Sequence, residues 1–121
     1  MILLYDLRPI IFQKRKDISI YCLPRVGKEI QNRFPYAFTE DKYPGAPSFE
    51  IKEIGNEPFI IENTEITPIQ VIHYNLPILG YKFKNLAYIT DASFISEEEQ
   101  KKLKNLDVLI INCLRKDEPH V

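Results

Sequence analysis

The stretch "VIHYNLPILGYKFKNLAYITDASF", residues 71–94, decides how the chain is read. It carries His73, one of two histidines, at the end of an apolar run, and Asp91 at the end of another. "ILGYKFKNLAYIT" reads as two strands about Lys84 and Asn85. Just upstream, "PFIIENTEITPIQVIH" reads as two strands about a turn at Glu62, Asn63 and Thr64, a hairpin. "NLPILG" must then return the chain, so that the Tyr81 strand runs beside the His73 strand. The turn at Lys84 and Asn85 reverses it once more and brings Asp91 to the end where His73 sits. On "ITPIQVIH", His73 shares a face with Thr67, Ile69 and Val71, because strand side chains alternate. Imidazole and carboxylate at converging strand ends are donors that suit zinc, manganese or iron. The bland alternative is a hydrogen-bonded structural histidine and an aspartate that serves only as a turn residue or helix cap.

Downstream, "SEEEQKKLKNL" reads as a helix, with Ser96 as N-cap and Glu99 completing a capping box. Acidic residues fill its first turn and lysines its last, matching the helix dipole. "DVLIIN" follows as a strand apolar on both faces, the pattern of a buried strand covered by helices. Upstream, "DISIYC" (17–22) alternates as a strand. "PRVGKEIQNRF" then reads as a helix with Pro24 in its first turn and Val26, Ile30 and Phe34 on one face. Gly27 weakens that helix by roughly 1 kcal/mol relative to Ala. Residues 35–48 are rich in Pro, Tyr and Gly and read as a loop, and "FEIKEI" as a strand. The order is βα, then a β meander, then αβ. That is an α/β protein of α+β layers with no Gly-rich phosphate loop, hence not a doubly wound dinucleotide fold.

Composition sets the outer bounds. At 121 residues and 45% apolar, the chain suits a single domain with a packed core. Its 16 Lys and Arg against 17 Asp and Glu give no field to attract nucleic acid or an anionic membrane. The local basic run of Arg8, Lys14, Arg15 and Lys16 lacks an aromatic stacking pattern and reads as solvated surface. Cys22 and Cys113 sit in apolar runs without CxxC spacing, so both are expected to be buried, reduced thiols of a cytoplasmic protein. No segment approaches membrane-spanning length. "MILLYDLRPIIF" begins abruptly and "NCLRKDEPHV" follows a strand with no closing helix, so both ends read as cut from a longer sequence.

The wording of the central stretch resembles the metallo-β-lactamase-fold hydrolases, and within them the cyclic-phosphate phosphodiesterase branch linked to phosphonate metabolism. The residues that carry the likeness are "HYNLPILGYKF", "YITDASFISEEE" and "LDVLIINCLRKDEPH". "YDLRPIIFQKRKDISIYC" and "RFPYAFTEDKYPGAPSFE" extend it over nearly the whole chain. The resemblance implies a partial αββα sandwich with a mixed, mostly antiparallel sheet and flanking helices, residues 1–121 being its middle and second part. It gives His73 the place of a histidine ligand of the first metal, and Asp91 that of the carboxylate bridging two metals. It implies divalent zinc or manganese and a small phosphodiester-type substrate. Thr90 and Ser93 are candidates for orienting the ligands. Arg115 could meet a phosphate, and His120 stands near the place of the last ligand.

The departures matter as much. The family's H-x-H-x-D-H motif should lie just before "YDLRP", where this chain has "MILL" and no histidine before His73. Two ligand positions survive from a constellation that needs more. The chain is therefore expected to bind metal weakly, to be inactive or nearly so, and to self-associate through sheet surface left without its covering layer. The alternative is a non-catalytic, oligomerising α/β domain in which His73 and Asp91 are structural.

Overall fold

The computed structural model describes residues 3–113. The chain divides into two compact units, with the boundary between Ile54 and Gly55.

The first unit opens with two short helices, α1 (Leu3–Asp6) and α2 (Arg8–Lys14). The sequence reading did not assign them. Pro9 falls at the start of α2, where its missing N–H costs nothing, and Arg15 ends the helix in a left-handed conformation. β1 (Ile18–Cys22), α3 (Pro24–Arg33) and β2 (Phe49–Glu53) then make a βαβ unit, with the strands parallel from Ile18↔Phe49 to Cys22↔Glu53. Residues 35–48 are irregular except for a single 3-10 turn at Pro35–Ala37. Ile11, Ala37 and Phe49 form the core here, with Leu4, Leu7, Ile18, Ile20 and Phe34 packed on it.

In the second unit β3 (Phe59–Ile61), β4 (Thr64–His73), β5 (Leu76–Phe83), β6 (Leu86–Ile89) and β7 (Val108–Ile111) form a five-stranded sheet in that order. The first three pairings are antiparallel and β6–β7 is parallel. Glu62 and Asn63 both have positive φ, as the tight hairpin turn between β3 and β4 demands. Tyr74 and Lys84 take positive φ in the next two turns. The core of this unit is Ile69, Val71, Ala87 and Ile89, all essentially inaccessible. Ile78, Ala92, Ile95, Leu103 and Leu106 pack against it. These residues lie on the sheet face that His73 shares.

The link from β6 to β7 includes α4 (Glu97–Lys101), whose N-cap Ser96 accepts the Glu99 N–H. The expected capping box forms only by half, because the Glu99 carboxylate is engaged elsewhere. It accepts the main-chain N–H of Gln70 at 2.9 Å and pairs with Lys102 at 2.8 Å. Lys102 also donates to the Pro68 carbonyl at 3.1 Å. Beyond the reach of β3, the outer edge of β4 thus finds its hydrogen bonds in side chains of α4 and the turn after it. A sheet edge left open would otherwise expose such groups to foreign strands.

Two expectations fail here. β7 is apolar but not buried: Val108, Leu109, Ile110 and Ile111 are 42–47% exposed. It is the edge strand of the described sheet, and each of its residues keeps more than two-fifths of its surface exposed. Cys22 is buried, as expected, but Cys113, just past β7, is exposed.

Candidate functional site

His73 is the last residue of β4, and its side chain projects on the face of Ile69 and Val71. β6 ends at Ile89, short of β4's end. The chain then crosses the core face, laying Ala92 on the core, and meets the far edge of β4, where Ile72 and Phe94 form an antiparallel bridge. That crossing carries Asp91 over the end of β4. His73 and Asp91 thus lie together at one end of the sheet, brought there by the crossing after β6.

The contact is specific. His73 Nδ1 lies 2.7 Å from the main-chain carbonyl oxygen of Asp91. A carbonyl can only accept, so Nδ1 carries the proton and donates. In the neutral ring the lone pair is then on Nε2. This is the usual way a metal-binding imidazole is held, by a hydrogen bond from its other nitrogen to a carbonyl or carboxylate. His73 is half-buried and Asp91 is exposed, so the ring is packed on one side and the carboxylate is open to solvent. Asp91 adopts φ 58°, in the left-handed region that costs a non-glycine residue backbone energy. Aspartate tolerates it better than most.

Of the two orienting candidates, Ser93 is well placed. Its hydroxyl donates to the Ile72 carbonyl at 2.9 Å and accepts the Tyr74 N–H at 2.8 Å, clamping the crossing to both sides of His73. Thr90 is exposed. A further residue escaped the sequence reading. Asn112, directly after β7, accepts the Ala92 N–H at 3.0 Å and donates to the Ala92 carbonyl at 3.2 Å. The only signal for it was a polar residue closing an apolar strand. Arg115 and His120 lie outside the described residues.

The fit to a metal is partial. His73 Nε2 and the Asp91 carboxylate are suitable donors at one end of the sheet. Among the described residues no group of three or more His, Cys, Asp or Glu is close enough to hold an ion.

A family model described as "Beta-lactamase superfamily domain" matches residues 3–121. An octanoyltransferase of Porphyromonas gingivalis is 35% identical over 116 residues, which cover 95% of this chain and 23% of that protein. The crystal structure of a new diphosphatase from the PhnP family matches with a TM-score of 0.81 at 27% identity, over 95% of this chain and 42% of that one. The chain therefore spans less than half the length of either relative.

Proposed function

The chain belongs to the beta-lactamase superfamily, and from that membership we propose that His73 and Asp91 are two ligand positions of a metal-dependent hydrolase site. Its mixed, mostly antiparallel sheet with flanking helices is a partial metallo-β-lactamase fold. The family model runs across both compact units, which supports taking residues 1–121 as one partial domain of that fold. One observation carries the assignment of the site: the His73 Nδ1–H bond to the Asp91 carbonyl, which leaves Nε2 to bind.

The parent reaction we propose is hydrolysis of a phosphodiester, a cyclic phosphate included. The solved relative's name, a diphosphatase, lies in the same phosphoryl chemistry. The activity in the other relative's name is not carried over, because the chain spans 23% of that protein. Zinc or manganese bound at such a site lowers the pKa of water and offsets charge growing on phosphoryl oxygens. The chain's own residues orient and hold. The Asp91 carbonyl fixes the imidazole plane, Ser93 ties the crossing strand to β4, and the left-handed turn at Asp91 leaves its carboxylate in solvent.

Two protein donors fall short of the three that catalytic zinc sites usually have. We therefore expect the chain alone to be inactive. Hydrolysis of bis(p-nitrophenyl) phosphate and of a nucleoside cyclic phosphate, with zinc or manganese, should not exceed the rate with metal alone. Turnover that disappears in Asp91→Ala would overturn the inactivity.

The open β7 edge favours a second property, self-association through a further copy of this chain. Four consecutive apolar residues, Val108–Ile111, are exposed on an edge strand. Covering a few hundred Å² of apolar surface contributes several kcal/mol at about 25 cal/mol per Å², before the cost of association. Sedimentation equilibrium should show a mass above the monomer that Ile110→Lys reduces. A monomer at micromolar concentration that binds no hydrophobic dye would rule it out.

A further inference from the structure

The His73–Asp91 contact depends on a stretch of backbone that main-chain hydrogen bonds tie to β4, at Ile72, but not to β7. β6 ends at Ile89, whose ladder partner on β7 is Ile111. Beyond that pair the main-chain ladder stops. The next residue on the β7 side, Asn112, continues it with its side chain. Its amide oxygen takes the Ala92 N–H at 3.0 Å and its amide nitrogen gives a hydrogen to the Ala92 carbonyl at 3.2 Å. A primary amide has one acceptor and one donor spaced like those of a peptide group, so it can stand in for the missing strand. Both atoms of the Ala92 peptide frontage are thereby fixed from one side.

Ala92 directly follows Asp91, which sits at φ 58° and presents its carbonyl to His73 Nδ1. A left-handed aspartate persists only where its surroundings hold it there. On its C-terminal side the restraints are Asn112 on Ala92, the Ser93 hydroxyl on Ile72 and Tyr74, and the main-chain bonds of Ser93 and Phe94 to Ile72. Ser93 anchors the crossing to β4. Asn112 alone among these anchors it to β7, the strand parallel to β6. Loss of the amide removes both hydrogen bonds made to Ala92 itself and loosens its peptide, and with it the Asp91 carbonyl that sets the imidazole tautomer.

We propose that Asn112 is a positioning residue for the His73–Asp91 pair, acting through the Ala92 backbone to keep the His73 proton on Nδ1 and Nε2 free. As a role in metal binding it rests on the ligand reading given above, but the tautomer it fixes does not require a metal.

The test is long-range ¹H–¹⁵N spectroscopy of the His73 ring in the full chain without metal, at a pH where the ring is neutral. The wild type should show the Nδ1–H tautomer. Asn112→Ala should move His73 to a mixture in which Nε2–H is at least a tenth of the population. Asn112→Asp retains the acceptor for the Ala92 N–H but loses the donor, and should fall between the two. Asn85→Ala is the control, because Asn85 bonds Asp107 at the other end of β7 at 3.0 Å. It removes one hydrogen bond from the same strand and should leave the His73 tautomer untouched. A wild type without the Nδ1–H form overturns the proposal. So does a tautomer that Asn112→Ala and Asn112→Asp leave unchanged, or that Asn85→Ala shifts equally. If Asn112→Ala does not fold, Asn112→Asp decides alone. A wild type that shows these tautomer effects yet binds no zinc would sink the ligand reading and leave the positioning role standing.

Discussion

Gly80, on β5, faces the core beneath the site, opposite Ile69 in the ladder. A Cβ at this position would lie 2.7 Å from Ile89 Cγ1, 3.1 Å from the Tyr88 carbonyl oxygen and 3.3 Å from Ile89 Cβ. Gly80→Ala therefore sets two effects against each other. The backbone there needs no positive φ, so alanine lowers the entropy of the unfolded chain and gains about 0.4–1 kcal/mol. Against this, the methyl must displace Ile89, which is 0% exposed among Ile69, Val71 and Ala87. The Tyr88 carbonyl belongs to the backbone of the neighbouring strand and cannot swing aside. Overpacking of this kind costs about 1–3 kcal/mol. The steric effect wins, and Gly80→Ala should lose about 1–2 kcal/mol in urea unfolding followed by circular dichroism. Ile89→Ala alone should cost about 2–5 kcal/mol through the cavity it leaves. In the double variant the methyl added by Gly80→Ala enters that cavity, so the combined loss should fall short of the sum by about 1 kcal/mol or more. Gly80→Ala as stable as the wild type, or strict additivity, would show that the core face is not packed as described.

Glu99→Ala strips the outer edge of β4 of its acceptor and Lys102 of its ion partner, both largely buried. It should cost about 1–3 kcal/mol in the same unfolding assay and expose the Gln70 amide to faster hydrogen exchange. Asp91→Gly relieves the left-handed strain, so it should leave stability unchanged or raise it by up to about 1 kcal/mol while removing the carboxylate donor. With Ellman's reagent, exposed Cys113 should react fast and buried Cys22 slowly. Burial, and secondarily the Glu53 carboxylate, push the Cys22 thiol's pKa up. Its folded value thus exceeds the unfolded one, so its contribution to stability is complete below about pH 8.5, where a free thiol begins to ionise. That contribution is lost as pH rises through the folded value. Cys22→Ala should accordingly flatten the alkaline fall in stability.

The nearness of His73 and Asp91 was legible in part from counting strand passes. Period-two patterning gives β4, β5 and β6, the turns at Tyr74–Asn75 and Lys84–Asn85 reverse them, and β4 and β6 then have to end on the same side of the sheet. What the pattern cannot give is the contact itself. His73 meets the Asp91 main chain rather than its carboxylate, because the crossing at Asp91 turns left-handed, and aspartate's tolerance of that conformation does not by itself place such a turn there. Asn112 stayed hidden for a related reason. Its partner, Ala92, lies 20 residues away and contributes only backbone. β7 shows a different limit. An apolar run states that a strand seeks cover, but not whether the cover comes from the same chain, and among the described residues that cover is incomplete. α2 was missed since "RPIIFQK" offers β-branched residues, yet Pro9 at its first turn and Ile11 on the core stabilise a helix there.

Titration of the full chain with zinc, followed through both ring nitrogens of His73, puts the ligand assignment to its sharpest test. Binding should be weak. It should perturb Nε2 strongly while Nδ1 keeps its proton, and it should vanish in Asp91→Ala. A tight, stoichiometric site, coordination through Nδ1, or zinc binding that leaves the His73 ring unchanged would contradict the assignment of His73 and Asp91 as two ligands of an incomplete metal site.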